Sequence, residues 1–170
     1  MLKRVFIFLV FVNIVLFGAN QKEFSLTTID NKKIHIEVNN NGIKVKEFPN
    51  KIVILDFFGK NCPPCKAQMP TLGKIQKKYK DSLQIIGIHV QEPLDFADMS
   101  MIQKRGVNFL VVDYLRGNQD FVEYISNLTG WRGQIPYMLF FDINGTYKGY
   151  HLGMMQEDLL EKFIEQNGKK

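Results

Sequence analysis

Two cysteines, one tryptophan and three histidines are all that this 170-residue chain holds of three residue types often used in metal and redox sites. A closed zinc site needs about four ligands, and Cys62 and Cys65 have no second cysteine pair to complete one. His35, His89 and His151 are widely spaced, without an H-x-x-x-H pairing, and read as strand or surface residues. No metal is therefore expected. Internal repeats and low-complexity linkers are also missing, and the length favours one domain. Basic residues outnumber acidic ones by 22 to 17, a net charge of +5. The lysines are scattered, however, with no interleaved aromatic platform, so no nucleic-acid partner is expected.

Long apolar runs are absent except for one at the start. Lys3 and Arg4 precede an apolar stretch from Val5 to Phe17, broken only by Asn13 and followed by Gly18 and Ala19. Its thirteen residues fall short of the roughly 20 that span a bilayer as a helix, and the layout is that of a secretory signal. Cleavage after Ala19 would leave bulky Phe17 where a small side chain is preferred. Residues 1–19 are thus read as a signal peptide or a retained membrane anchor, and residues 20–170 as the domain proper. No cysteine near that boundary could take an acyl anchor. The expected location is periplasmic or otherwise extracytoplasmic.

An exported chain usually spends its cysteines on disulfides that close long loops, because those constrain the unfolded chain most. Cys62-Pro63-Pro64-Cys65 closes a very short one, so reversible thiol chemistry explains the pair better than a structural staple does. The run Lys51–Phe58 is nearly continuously apolar and β-branched, as in a strand buried on both faces, and Gly59–Asn61 turns the chain. Met69, Leu72, Ile75 and Tyr79 then recur at helical spacing, predicting a helix over Pro63–Lys80 with Pro63 and Pro64 in its first turn and a kink at Pro70. Cys62 sits at the start of that helix. Free N–H groups and the positive dipole end there favour a thiolate, making Cys62 the attacking thiol and the deeper Cys65 the resolving one.

Downstream, the pattern alternates. Strands are expected over Leu83–His89, Phe109–Val112, Tyr137–Asp142 and Thr146–Leu152. Helices are expected over Leu94–Arg105, Gln119–Leu128 and Gln156–Gln166, the last with Leu159, Leu160 and Phe163 inward. Asp142-Ile143-Asn144-Gly145 is a hairpin signal. Upstream, Phe24–Ile29, Lys32–Val38 and Ile43–Phe48 read as short strands of an added N-terminal hairpin or sheet extension. The fold class is α/β, with a central mixed sheet flanked by helices.

The buried strand, Phe57-Phe58-Gly59 running into Cys62-Pro63-Pro64-Cys65, Pro70 in the next helix, and Gly133-Gln134-Ile135-Pro136 before an apolar strand occur in a specific order. In that order the chain resembles thioredoxin-like proteins of the TlpA/ResA type over about residues 22–167. The resemblance implies a thioredoxin fold. It also implies a cis Pro136 facing the dithiol, with backbone groups of Ile135 binding an extended substrate segment. Asp56 matches a buried acid that moves the resolving cysteine's proton, a role to which burial suits its pKa. Trp131 is expected to pack near the Pro136 loop. Two positions depart from the family: Asn61 replaces the usual tryptophan beside the first cysteine, and Gln68 replaces a glutamate common in cytochrome-maturation members. Since Gln68 cannot carry a proton, that role falls to Asp56.

The implied activity is thiol-disulfide exchange with protein substrates, most simply as a reductant, for example of apocytochrome c. The Cys62–Cys65 pair would need no other cofactor, and a membrane electron donor or acceptor would keep it in its working state. A disulfide-forming dithiol oxidase is the close rival; one of the DsbA kind would carry a large helical insertion, which the 70 residues between Cys65 and Pro136 do not suggest. A thiol peroxidase would present a lone cysteine in a T-x-x-C context. A non-catalytic thioredoxin-fold chaperone or assembly factor is the alternative from another class.

Overall fold

The computed structural model describes residues 21–168. The expected signal peptide or anchor at residues 1–19 lies outside them. The first three strands, β1 (Lys22–Thr27), β2 (Lys33–Asn39) and β3 (Gly42–Val45), form an antiparallel meander. In β1 and β2 exposed and inward residues alternate, as expected where one sheet face meets water. Phe24, Leu26, Ile34, Ile36 and Val38 point inward.

The central sheet has five strands in the order β6-β5-β4-β7-β8. Its middle strand β4 (Ile52–Phe58) pairs in parallel with β5 (Leu83–His89), and β5 pairs in parallel with β6 (Leu110–Asp113). β7 (Tyr137–Phe141) and β8 (Tyr147–Leu152) complete the sheet antiparallel to β4 and to each other. β4, β5 and β7 are buried along their whole length, which is why they read as largely apolar runs, interrupted only by Asp56 in β4 and by Gln84 and His89 in β5.

Alternation along β4 assigns its residues to two layers. Val53, Leu55 and Phe57 face the N-terminal meander and α3 (Gln119–Thr129), meeting Ile36, Val38, Phe121 and Ile125. Ile52 and Ile54 face α1 (Pro63–Lys78) and α4 (Glu157–Asn167), meeting Leu72, Ile75, Leu160 and Ile164. Leu94 and Ile102 bring α2 (Phe96–Lys104) onto the same side. Each fully buried Leu, Ile or Phe contributes roughly 1.5–3 kcal/mol. This is a thioredoxin fold with an added β layer.

Of the two readings of the N-terminal strands, added hairpin or sheet extension, the structure has the separate antiparallel sheet: it packs across one face of the central sheet and pairs with it through isolated bridges, Thr28 with Val112 and Gly42 with Thr146. One expectation needs correction. In α4 the buried stripe is centred on Leu160 and Ile164, one turn apart. Leu159, about 100° round the helix from Leu160, is 44% exposed rather than inward.

Candidate active site

β4 ends at Phe58, and the turn Gly59–Asn61 delivers Cys62 to the N-cap of α1 with an extended backbone, φ −117° and ψ 100°. Pro63 and Pro64 occupy the first two helical positions, where a missing N–H costs nothing. The first free donor of the turn, the Cys65 N–H, donates to Cys62 Sγ at 3.2 Å. The first turn holds no acidic residue, so nothing there offsets the positive end of the helix dipole. Cys62 and Cys65 are joined in a disulfide with Cα atoms 5.3 Å apart. Both are buried, Cys65 at 2% exposure more deeply than Cys62 at 6%.

Asp56 is two residues before the end of β4. By alternation it shares the α1 face with Ile54 and Phe58, and Phe58 packs in the same cluster as Cys62, Cys65 and Met69. Its strand neighbours in register are Gly87 and Met138, neither of which offers a side-chain partner for a carboxylate. Asp56 Oδ1 has no hydrogen-bond partner, and burial alone pushes the carboxyl up to about 7. A carboxyl of that kind takes and returns a proton near neutral pH.

The Ile135–Pro136 peptide bond is cis. Ile135 packs at the junction of two clusters, one holding both cysteines and the other holding Trp131 and Tyr137. Trp131 stiffens this loop: Nε1 donates to Gln134 O at 2.6 Å, and its ring stacks on Tyr137 and leans on Phe57. Gln134 Oε1 accepts from Arg132 N–H, and Pro136 O accepts from Gly153 N–H. No such bond engages the peptide groups of Ile135 among the described residues. The fold thus gathers Cys62, Cys65, Asp56 and Ile135 at the C-terminal end of β4 and the start of β7.

Several buried polar residues gave no signal in the sequence. Gln68, which the helical pattern puts among solvated positions, is 2% exposed. Its amide closes on one peptide, Nε2 donating to Met155 O at 3.1 Å and Oε1 accepting from Met155 N–H at 2.8 Å. His89 belongs to strand β5, as expected, but is wholly buried, and its Nε2 accepts from Lys60 N–H at 3.3 Å. Gln91 Oε1 accepts from Asn61 N–H at 2.8 Å. A polar residue at the end of a buried strand, level with the turn before the cysteines, is the one clue that could have pointed to His89.

Residues 18–149 match the AhpC/TSA family. The chain is 30% identical over 125 residues to the thiol-disulfide oxidoreductase ResA of Halalkalibacterium halodurans, a match covering 72% of this chain and 66% of that one. It therefore spans just under two thirds of that relative's length. It is 24% identical to the thioredoxin-like protein YneN of Bacillus subtilis, covering 87% of this chain and 78% of the relative. Among solved structures, a thiol:disulfide interchange protein of the thioredoxin family from Chlorobium tepidum superposes with a TM-score of 0.68 at 21% identity, over 86% of this chain and 94% of that one. A secreted Mycobacterium tuberculosis disulfide oxidoreductase homologous to Escherichia coli DsbE does so with a TM-score of 0.61 at 20% identity, over 84% and 95%. At such identities these two structures speak for the fold.

Proposed function

Since the chain belongs to the AhpC/TSA family, we propose that it is an extracytoplasmic thiol-disulfide oxidoreductase that reduces protein disulfides through Cys62 and Cys65. The observation that carries this reading is the N-cap geometry: Cys62 Sγ already accepts the Cys65 N–H at a helix N-terminus without acidic neighbours. Relatives named thiol-disulfide oxidoreductase ResA support the exchange chemistry, and the direction is supported by the path from Cys65 to Pro136, which runs through β5, α2, β6 and α3 without a large helical insertion.

In the reduced protein the Cys62 thiolate attacks a substrate disulfide, forming a mixed disulfide and releasing one substrate thiolate. Cys65 gives its proton to Asp56 and attacks Cys62 Sγ, re-forming the Cys62–Cys65 bond and releasing the second substrate sulfur as a thiolate, which is protonated from Asp56 or from water. Two electrons pass from dithiol to substrate. Ile135 presents its free peptide groups to the substrate backbone as a strand would, with Pro136 next to it. A membrane-bound donor returns the electrons, and residues 1–19 deliver the domain to that compartment as a signal peptide or an anchor.

The test is the reduction potential of the Cys62/Cys65 pair, measured in glutathione or dithiothreitol buffers, together with turnover of a disulfide-bonded protein. A potential near roughly −270 mV or lower marks a reductant, whereas one near about −120 mV marks a disulfide-forming oxidase. Absence of turnover in both directions would leave a non-catalytic assembly factor.

A further inference from the structure

The turn that leads into the dithiol is held from one side by β5 and the segment that follows it. Lys60 N–H donates to His89 Nε2 and Asn61 N–H to Gln91 Oε1. The Lys60 ammonium reaches Pro93 O at 3.0 Å and the Asp98 carboxylate at 2.8 Å. A Cβ on Gly59 would displace the Gln91 amide that receives the Asn61 N–H. The positions of three successive residues before Cys62 therefore depend on this scaffold.

His89 is its buried member. Because Nε2 accepts the Lys60 N–H, the neutral ring carries its proton on Nδ1. Nδ1 has no hydrogen-bond partner, and Asp113 Oδ1 stands 3.6 Å from it. Asp113 is equally buried and is itself held by Leu94 N–H and Leu115 N–H. The Phe58 ring packs edge-on against the imidazole at 5.4 Å. The redox step proposed above makes no use of this pair.

We propose that His89 is a positioning residue for Cys62: its unprotonated Nε2 fixes the Lys60 amide and with it the turn that seats Cys62 at the N-cap, and protonation of the ring at acid pH releases that turn. Asp113 faces the ring from β6, Lys60 from the turn and Asp98 from α2, while Arg116 lies beyond Asp113 at 3.6 Å. Burial and Lys60 lower the imidazole pKa, Asp113 and Asp98 oppose them, and the balance is below the ordinary 6.5, so at neutral pH the ring is an acceptor. A protonated ring has only donors and turns one of them on the Lys60 N–H. The turn then shifts, and the Cys65 N–H loses its alignment with Cys62 Sγ.

This inference rests on Cys62 being the attacking thiol, and its test reads that thiol directly. In the reduced full chain, the pH dependence of Cys62 alkylation by iodoacetamide, mapped by mass spectrometry, gives the thiol titration. His89→Leu raises it by about one pH unit and slows alkylation about tenfold at pH values below both titrations. His89→Gln, whose Oε1 can take the place of Nε2, returns the rate to within about threefold of wild type. A titration unchanged in His89→Leu overturns the proposal even if the melting temperature falls. Should that variant not fold, nitrogen NMR of the wild type decides: the Nδ1–H tautomer, with Lys60 amide protection lost as the ring titrates, supports the proposal, and the Nε2–H tautomer overturns it. Wild-type disulfide turnover is scored separately. Its absence overturns the oxidoreductase reading and leaves the His89 result standing on its own.

Discussion

The N–H of Cys65 donates to Cys62 Sγ at 3.2 Å, so the helix N-terminus already serves the sulfur proposed to attack. The proposed mechanism gives the two cysteines unequal tasks, with Cys62, the less buried and the one at the helix end, attacking and Cys65 resolving. Cys65→Ser is expected to accumulate a mixed disulfide between Cys62 and a protein substrate, visible as a reductant-sensitive adduct by mass spectrometry. Cys62→Ser is expected to form no adduct. Equal trapping by the two variants would contradict the assignment.

Asp56 gives a prediction with two opposite signs. As proton acceptor for Cys65, its loss in Asp56→Asn should slow resolution of the mixed disulfide about 10²-fold near neutral pH, read by stopped-flow fluorescence. Stability moves the other way. The folded carboxyl titrates at about 7, against an ordinary 3.8, so between those values the folded state holds a proton that the unfolded chain has released. Stability therefore falls as pH rises through that window and stays low above it. Asp56→Asn should remove that slope and be more stable above neutrality by up to roughly 4 kcal/mol in urea titrations. A wild-type stability flat from mildly acidic to neutral pH would remove the argument for a buried, neutralisable Asp56.

The order of elements was legible because burial leaves its mark on residue type. Ile52–Phe58 is apolar at every position but Asp56, and Leu83–His89 keeps an Ile-rich centre between Gln84 and His89, since both faces of those strands are covered. The turn at Gly59 and the helix start at Cys62 follow from prolines and glycine whose backbone preferences are local. What could not be read was partnership across the chain. Gln68 and Gln76 look like solvated helix residues because a glutamine carries no sign of whether its amide will meet water or a peptide. The stacking of the N-terminal meander on the sheet face depends on close approach of Gly42 to Gly145, a contact spanning a hundred residues. Leu159 shows the same limit on a smaller scale, since apolar content alone does not tell the centre of a stripe from its edge.

Gln76 stands in for a missing strand. β6 pairs with β5 only from Ile86 onward, so the Leu83–Ile85 edge lacks a neighbour there. The Gln76 amide fills it, accepting from Ile85 N–H at 2.7 Å and donating to Leu83 O at 3.0 Å. Gln76→Leu keeps the volume and strands two buried backbone groups, at a cost of about 1–3 kcal/mol each. Urea denaturation should show a loss of about 2–5 kcal/mol. A change below about 0.5 kcal/mol would mean that water reaches this edge.

The hairpin that joins the meander to the sheet separates stability from chemistry. Ile43 N–H donates to Gly145 O at 2.9 Å and Tyr147 N–H to Asn41 O at 2.8 Å, which brings the two backbones together. Gly145 has φ +81°, and a Cβ on it would overlap Ile43 O. Gly145→Ala therefore incurs both a left-handed backbone penalty and a backbone clash, with an expected loss of about 3 kcal/mol. The site lies elsewhere: β7 starts beside Phe57 and runs to Val53, so its hairpin is at the end of the sheet opposite Cys62. In the absence of denaturant the variant should alkylate at Cys62 and exchange disulfides at the wild-type rate while its urea midpoint drops. A slowed Cys62 in a folded Gly145→Ala protein would mean that the meander sets the geometry of the N-cap from the far end of the sheet, which none of the contacts around Gly59–Asn61 requires.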